Sequence, residues 1–265
     1  MEPHVAWGDL PTGVRQAVQT RIGEVISAET VTEGITCRAA LILTTSRHQL
    51  FVKGVPADDF SSLGAQLAEV AINNAVQRVS PAVHWETIAD KWHLIAFEYV
   101  DGRHADLSPG SADLRTVAHL LKRAQTCRVP EGHRVPPLTA RYRPFLRPGD
   151  AEALAGTALL HTDTNPHNLL ITERRGYLVD WAMSALGPSW VDPAQTAVRL
   201  MESGGTPAQA RAWLSGFPDW ERAPWDARAR FIELVCRDWS AKLGEKDAEP
   251  GNARFRSLLT SPNAS

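Results

Sequence analysis

The chain has 265 residues, 43% hydrophobic and 22% charged, with 28 Lys and Arg against 30 Asp and Glu for a formal net charge of −2. That is an ordinary globular composition, long enough to bury a core, and it excludes a nucleic-acid partner held by a broad basic field. No apolar run approaches the roughly 20 residues of a membrane span, Met1–Gly8 has no secretory pattern, and Cys37, Cys127 and Cys236 form no CxxC pair or even framework, so a cytoplasmic, reducing setting without membrane is expected.

In chain order, Thr12 to Ile22 predicts a short leading helix and Val25 to Thr32 a strand, followed by a turn at Glu33-Gly34-Ile35-Thr36. Two apolar runs, Cys37 to Thr44 and Leu50 to Val55, flank the polar stretch Thr45 to Gln49 as a hairpin would. Ser61 to Val79 changes to helical periodicity. Val83 to Ala89 and Trp92 to Val100 then flank Asp90-Lys91 as a second hairpin.

Beyond Asp101-Gly102-Arg103 the pattern turns helical. Leu114 to Thr126 carries one apolar face. Val129 to Pro148 reads as an irregular connection, and Glu152 to Leu160 as a helix. Asp192-Pro193 and Thr206-Pro207 are each an N-cap followed by proline at the first helical position. Pro224 to Leu243 is a long amphipathic helix ended by Gly244, and the tail from Glu245 to Ser265 has weak signals and is expected to fray. The fold class is α+β with two lobes. A strand-rich lobe covers 1–100, a linker lies near 98–103, and a helical lobe covers 104–265.

The most informative segment is Leu160-His161-Thr162-Asp163-Thr164-Asn165-Pro166-His167-Asn168-Leu169. It contains H-x-D-x-x-x-x-N and runs straight into an apolar strand. Asp180 lies twelve residues after Asn168, where a second strand ends. A hairpin of Leu169–Thr172 and Tyr177–Val179 would set Asn168 and Asp180 side by side, with Asp163 on the loop before it. Oxygen donors suit Mg²⁺, a hard cation that binds phosphates with one or two carboxylates. Phosphoryl transfer needs that metal and a carboxylate to take or orient the attacking hydroxyl's proton. Asn168 and Asp180 fit the metal role, and Asp163 the base role.

These residues resemble the catalytic loop and metal-binding aspartate of the aminoglycoside phosphotransferase and choline-kinase-like family, within the protein-kinase-like fold. The resemblance spans most of the chain. It implies Asp163 as catalytic base, Asn168 and Asp180 as Mg²⁺ ligands, and ATP as phosphoryl donor. It further implies a lysine on the third strand, supplied by Lys53, paired with a glutamate on the first-lobe helix, for which Glu69 is the candidate. The segment Phe97-Glu98-Tyr99-Val100 is similar to the inter-lobe hinge, where backbone groups of Glu98 and Val100 would meet the adenine edge. The nucleotide-covering loop has only Gly34, not a full G-x-G-x-x-G. The loop reads T-D-T-N-P-H-N, with His167 where the family often has glycine. Only eleven residues separate Asp180 from Asp192, too few for a protein-substrate platform, so the likeness favours a small-molecule acceptor.

Taken singly, each residue has an ordinary reading: Lys53 on a solvated strand face, Glu69 on a helix surface, Asp192 as an N-cap that also braces the loop. His161 reads as structural, and His167 as pocket wall or solvent-facing. Asp219, Glu221, Asp226, Glu233 and Asp238 are interspersed with Arg222, Arg228, Arg230 and Arg237, the pattern of a solvated helix rather than an acidic wall. Trp213, Trp220, Trp225 and Trp239 read mostly as core. The expected activity is an ATP- and Mg²⁺-dependent O-phosphotransferase of a small hydroxylated molecule, an aminoglycoside or other antibiotic among the candidates. The alternatives are a housekeeping kinase of a small alcohol or metabolite, and a non-catalytic nucleotide-binding protein.

Overall fold

The computed structural model describes residues 4–32, 37–129 and 131–259. Gly34 and the turn around it lie outside the described residues. The chain divides into two compact units, Met1–Gly102 with Val179–Met183, and Arg103–Leu178 with Ser184–Ser265.

In the first unit, helix α1 (Thr12–Ile22) precedes strands β1 (Ser27–Thr30), β2 (Ala39–Thr44) and β3 (Gln49–Pro56). Helix α2 (Phe60–Val76) follows, and then β4 (Val83–Ala89) and β5 (Trp92–Glu98). The five strands form an antiparallel sheet in the order β1-β2-β3-β5-β4. Val14, Val18 and Ile22, spaced by four along α1, pack with Leu41, Leu43, Val52 and Leu94 of the sheet in one buried cluster. The β4–β5 turn puts Asp90 and Lys91 at φ 49° and 64°, the double left-handed conformation that a two-residue hairpin needs. Asp90 also accepts the Gly13 N–H at 3.2 Å, and a Cβ at Gly13 would come within 2.7 Å of that carboxylate. The turn is thereby tied to the first turn of α1.

The second unit begins with β6 (Arg103–His104), helix α3 (Asp113–Ala124) and two short helices, α4 (Leu138–Arg141) and α5 (Asp150–Ala153). Strand β7 (Ala158–Leu160) precedes the segment His161–Asn168, and β8 (Leu169–Ile171) and β9 (Gly176–Leu178) follow it. Then come β10 (Ala185–Gly187) and helices α6 (Val191–Glu202), α7 (Pro207–Leu214), α8 (Pro218–Arg222), α9 (Trp225–Leu243) and α10 (Glu245–Ser257). Strand β8 pairs with β6 and β9, and β7 pairs with β10.

Three expectations change here. Glu152 to Leu160 is not one helix. The helix is confined to Asp150–Ala153, and Ala158–Leu160 pairs with Ala185–Gly187. Gly156 marks the break, because a Cβ there would fall 2.2 Å from the Gly187 backbone. The tail does not fray over 245–257, where α10 forms and buries Ala248, Asn252 and Phe255 despite Pro250 within it. Asp192 is not the cap of α6. That position is Trp190, and the Asp192 carboxylate is used elsewhere. Thr206, by contrast, caps α7 in a reciprocal box with Gln209.

Of the four tryptophans read mostly as core, only Trp220 is buried, against the edge of Trp190. Trp225 is exposed, Trp239 is more than a third exposed, and Trp213 donates its Nε1–H to Leu114 O at 3.0 Å. Among the described residues no helix is long and apolar enough to cross a membrane.

Candidate active site

In the first unit residues 52–55 of β3 are all buried, Lys53 among them, and α2 presents Glu69 on its buried face. Lys53 Nζ lies 2.8 Å from Glu69 Oε2 and 2.8 Å from Asp180 Oδ1. Lys53 is 7% exposed and Glu69 3%, so neither is the surface residue that its type alone suggests. Glu69 Oε1 also accepts the backbone N–H of Trp181 at 3.1 Å, and the Trp181 ring is fully buried. That bond links α2 to the segment carrying Asp180, which sits at φ 64°. A non-glycine residue rarely takes that conformation, and strain of this kind concentrates at functional sites.

Burial by itself would lower the Lys53 pKa. The Asp180 and Glu69 carboxylates outweigh it and hold the ammonium above its ordinary value. Burial pushes the Glu69 carboxyl up, with the Lys53 charge pulling the other way. The Cys37 thiol feels the same three charges, and burial pushes it up to about 11, which leaves it a protonated, unreactive group. At the end of β5, Glu98 N–H donates to Ala82 O at 2.8 Å, so the backbone group that Glu98 has to offer a ligand is its carbonyl.

In the second unit the segment His161–Asn168 is held from α6. Asp192 Oδ2 accepts the His161 N–H at 2.8 Å, and Oδ1 accepts the Thr162 N–H at 2.9 Å. Burial pushes the Asp192 carboxyl above the ordinary range, opposed by the neighbouring His161 and these two N–H bonds. One turn further along α6, the Thr196 and Thr164 hydroxyls meet at 2.8 Å. The i, i+4 spacing of Asp192 and Thr196 puts both on one helix face. His161 is fully buried, and its Nδ1 accepts the Asp163 N–H at 3.3 Å. Thr162, just before Asp163, sits at φ 66°, an outlying conformation for a β-branched residue, held by Asp192 and by Arg141 Nη1, which donates to the Thr162 hydroxyl at 2.8 Å.

Asn168 Nδ2 donates to the Asp163 carbonyl at 3.0 Å and to Asp163 Oδ2 at 3.1 Å. The amide oxygen of Asn168 is therefore the atom it can offer a cation. Asn165 accepts the His167 N–H, which starts the short turn Pro166–Asn168. The His167 ring is exposed and stands edge-on to His104, 5.0 Å between centroids. A cavity of about 170 Å³ opens beside Asp163, walled by Thr162, Arg141, Asp238, Trp239 and Lys242 among others. Arg141, Thr162 and Thr196 escape sequence reasoning. Only the helical spacing of Thr196 from Asp192 could have pointed to one of them.

Among the described residues no three His, Cys, Asp or Glu side chains gather to hold a metal ion. Magnesium carried in with a nucleotide does not need such a cluster, because phosphates and water fill most of its shell. The Asn168 amide oxygen and the Asp180 carboxylate are each, by chemistry, hard oxygen donors.

Residues 150–225 match the family model described as the phosphotransferase enzyme family, and this span contains the catalytic-loop segment and Asp180. No curated protein matches the chain. Choline kinase LicA from Streptococcus pneumoniae superimposes with a TM-score of 0.60 at 15% identity, over 93% of this chain and 96% of its own. A choline/ethanolamine kinase family protein from Mesorhizobium loti gives 0.56 at 16%, over 94% of each chain. A thermostable mutant of aminoglycoside phosphotransferase APH(4)-Ia, in ternary complex with AMP-PNP and hygromycin B, gives 0.56 at 12%, over 95% of this chain and 99% of that one. At these identities the structures establish the fold, and the family match covers residues 150–225. The chain has the protein-kinase-like fold, is similar in structure to an aminoglycoside phosphotransferase and a choline kinase, and over residues 150–225 matches the phosphotransferase enzyme family.

Proposed function

We propose that this protein is an ATP- and Mg²⁺-dependent O-phosphotransferase of a small hydroxylated molecule. The observation that carries the reading is the Lys53 ammonium held at 2.8 Å by each of two carboxylates, Glu69 and Asp180. In this reading Lys53 binds the α- and β-phosphates of ATP, and Glu69 keeps it aimed. The Glu98 carbonyl and the Val100 backbone meet the adenine edge. Asn168 and Asp180 hold Mg²⁺, which when bound neutralises charge on the β- and γ-phosphates.

Asp163 accepts the proton of the acceptor hydroxyl. The hydroxyl oxygen forms its bond to the γ-phosphorus, the bond from that phosphorus to the bridging oxygen breaks, and ADP leaves. Asn168 supports this role by fixing one oxygen of the Asp163 carboxylate. The nucleotide analogue in the aminoglycoside phosphotransferase complex supports ATP as donor.

The test is Mg²⁺-dependent ADP release by the purified chain against hydroxylated antibiotics, sugars and amino alcohols. ADP release stimulated by one acceptor and lost in Asp163→Ala, with MgATP still raising the Tm of that variant, is the expected result. No ADP release with any acceptor and no effect of MgATP on Tm would overturn the reading.

A further inference from the structure

We infer that the acceptor is small and carries an anionic group beside its hydroxyl, and that Arg141 receives the anion. The inference rests on the phosphotransferase reading and names its substrate class. The cavity beside Asp163 lies wholly within the second unit and encloses about 170 Å³. Sites for drug-sized ligands run roughly 300–1,000 Å³, so this one suits a smaller molecule.

The wall has two carboxylates, Asp163 and Asp238. Asp163 is committed as the base. Asp238 is buried and ion-paired with Lys242 at 2.7 Å. No carboxylate is left over for an ammonium group, and Lys242 would repel one.

The wall's cations are not balanced in the same way. Arg199 pairs with Glu202 at 2.8 Å. Arg141 has no carboxylate partner among the described residues. Its Nη1 is spent on the Thr162 hydroxyl and carbonyl, and the residue is exposed and lines the cavity. A guanidinium meets a carboxylate or phosphate with paired N–H groups, which makes it the group suited to an anion here. The Gln195 amide oxygen, buried in the same wall, has no partner among the described residues. A buried acceptor of this kind calls for a donor, and a hydroxyl of the ligand supplies one. Because Arg141 is bonded to Thr162, an anion on its guanidinium lies next to the residue that precedes the base.

The test compares acceptors matched in skeleton and differing in end charge. One series is glycerate, glycerol and 3-aminopropane-1,2-diol, and the other is gluconate, glucitol and glucamine. Binding to the full chain in the presence of MgADP is measured by calorimetry, and turnover by ADP release with MgATP. Glycerate or gluconate should bind roughly 10–100-fold more tightly than its neutral and cationic counterparts, the factor a charge-assisted hydrogen bond carries. Arg141→Met should raise the KM of the anionic acceptor by a similar factor, with a smaller fall in kcat, and Arg141→Lys should restore part of the loss.

Preference for the cationic members, or no binding by either anion while MgATP still raises Tm, would overturn the inference and leave the kinase reading standing. A fall in kcat in Arg141→Met that is equal for every acceptor would overturn it too, because that is the signature of Arg141 merely holding Thr162. Absence of any MgATP effect on Tm would remove both.

Discussion

The Asp192 carboxylate receives the backbone N–H of Thr162 at 2.9 Å, and Thr162 stands at φ 66° immediately before Asp163. The position of the proposed base thus depends on a buried acid 29 residues downstream. Asp192→Asn puts an amide N–H against one of the two backbone donors. It should cost about 1–3 kcal/mol of stability, the penalty of a buried unpaired polar group. The Tm should fall, and kcat should fall further than the KM for ATP rises. Denaturation and steady-state kinetics on the same preparation separate the two effects. An unchanged kcat would show that the loop does not need this anchor.

Asp163→Asn keeps the bulk of the side chain and removes the proton acceptor. Turnover should fall by about 10²–10⁴-fold, the usual contribution of general base catalysis. The thermal shift with MgATP should persist. Single-turnover measurement of the chemical step gives the decisive reading.

Lys53→Met leaves Glu69 and Asp180 facing each other without the ammonium between them. Removing one member of a buried ion cluster costs about 3–5 kcal/mol. The variant should melt earlier and lose most of its MgATP-dependent rise in Tm. Asp180→Ala should instead weaken nucleotide binding in the presence of Mg²⁺ far more than in its absence, measured by titration with and without chelator.

Acid sensitivity has a separate source in the second unit. Arg103 meets Asp113 with two N–H groups, at 2.5 and 2.9 Å. The bonds from Arg103 come first among the causes that hold the Asp113 carboxyl below its ordinary value, against a smaller opposing effect of burial. A carboxyl lowered by folding adds stability above its unfolded pKa of roughly 3.9. That stability is lost as pH falls through the folded value. The Tm of Asp113→Asn should therefore lie below that of the parent near neutrality, with the gap narrowing below about pH 4. A gap independent of pH would refute the assignment.

Elements whose cause is local were legible in the chain. Helix α1 forms over the expected Thr12–Ile22, and α7 starts from the expected cap and proline, Thr206-Pro207. Elements that need a distant partner were not. Ala158–Leu160 carries apolar residues that fit a helix as well as a strand, and only pairing with Ala185–Gly187 makes it β7. Helix α10 has few apolar residues and an internal proline, and the burial of Ala248, Asn252 and Phe255 supplies what its own period lacks.

The sequence by itself determined the chemistry that is local. H-x-D-x-x-x-x-N is a contact between neighbours, and the 3.0 and 3.1 Å bonds from Asn168 to Asp163 span only five residues. The two-lobed class followed from where strand-like periods give way to helical ones. Only the tertiary structure decided that Lys53 and Glu69 are buried, that residues 179–183 belong with the sheet-bearing unit, and that Asp192, which braces the loop as expected, does not also cap its helix. It also decided that Arg141 has no carboxylate partner among the described residues, in a wall whose other cations are paired. Ionic pairing and burial are properties of neighbours in space, and charges a hundred residues apart leave no period in the chain to announce their meeting.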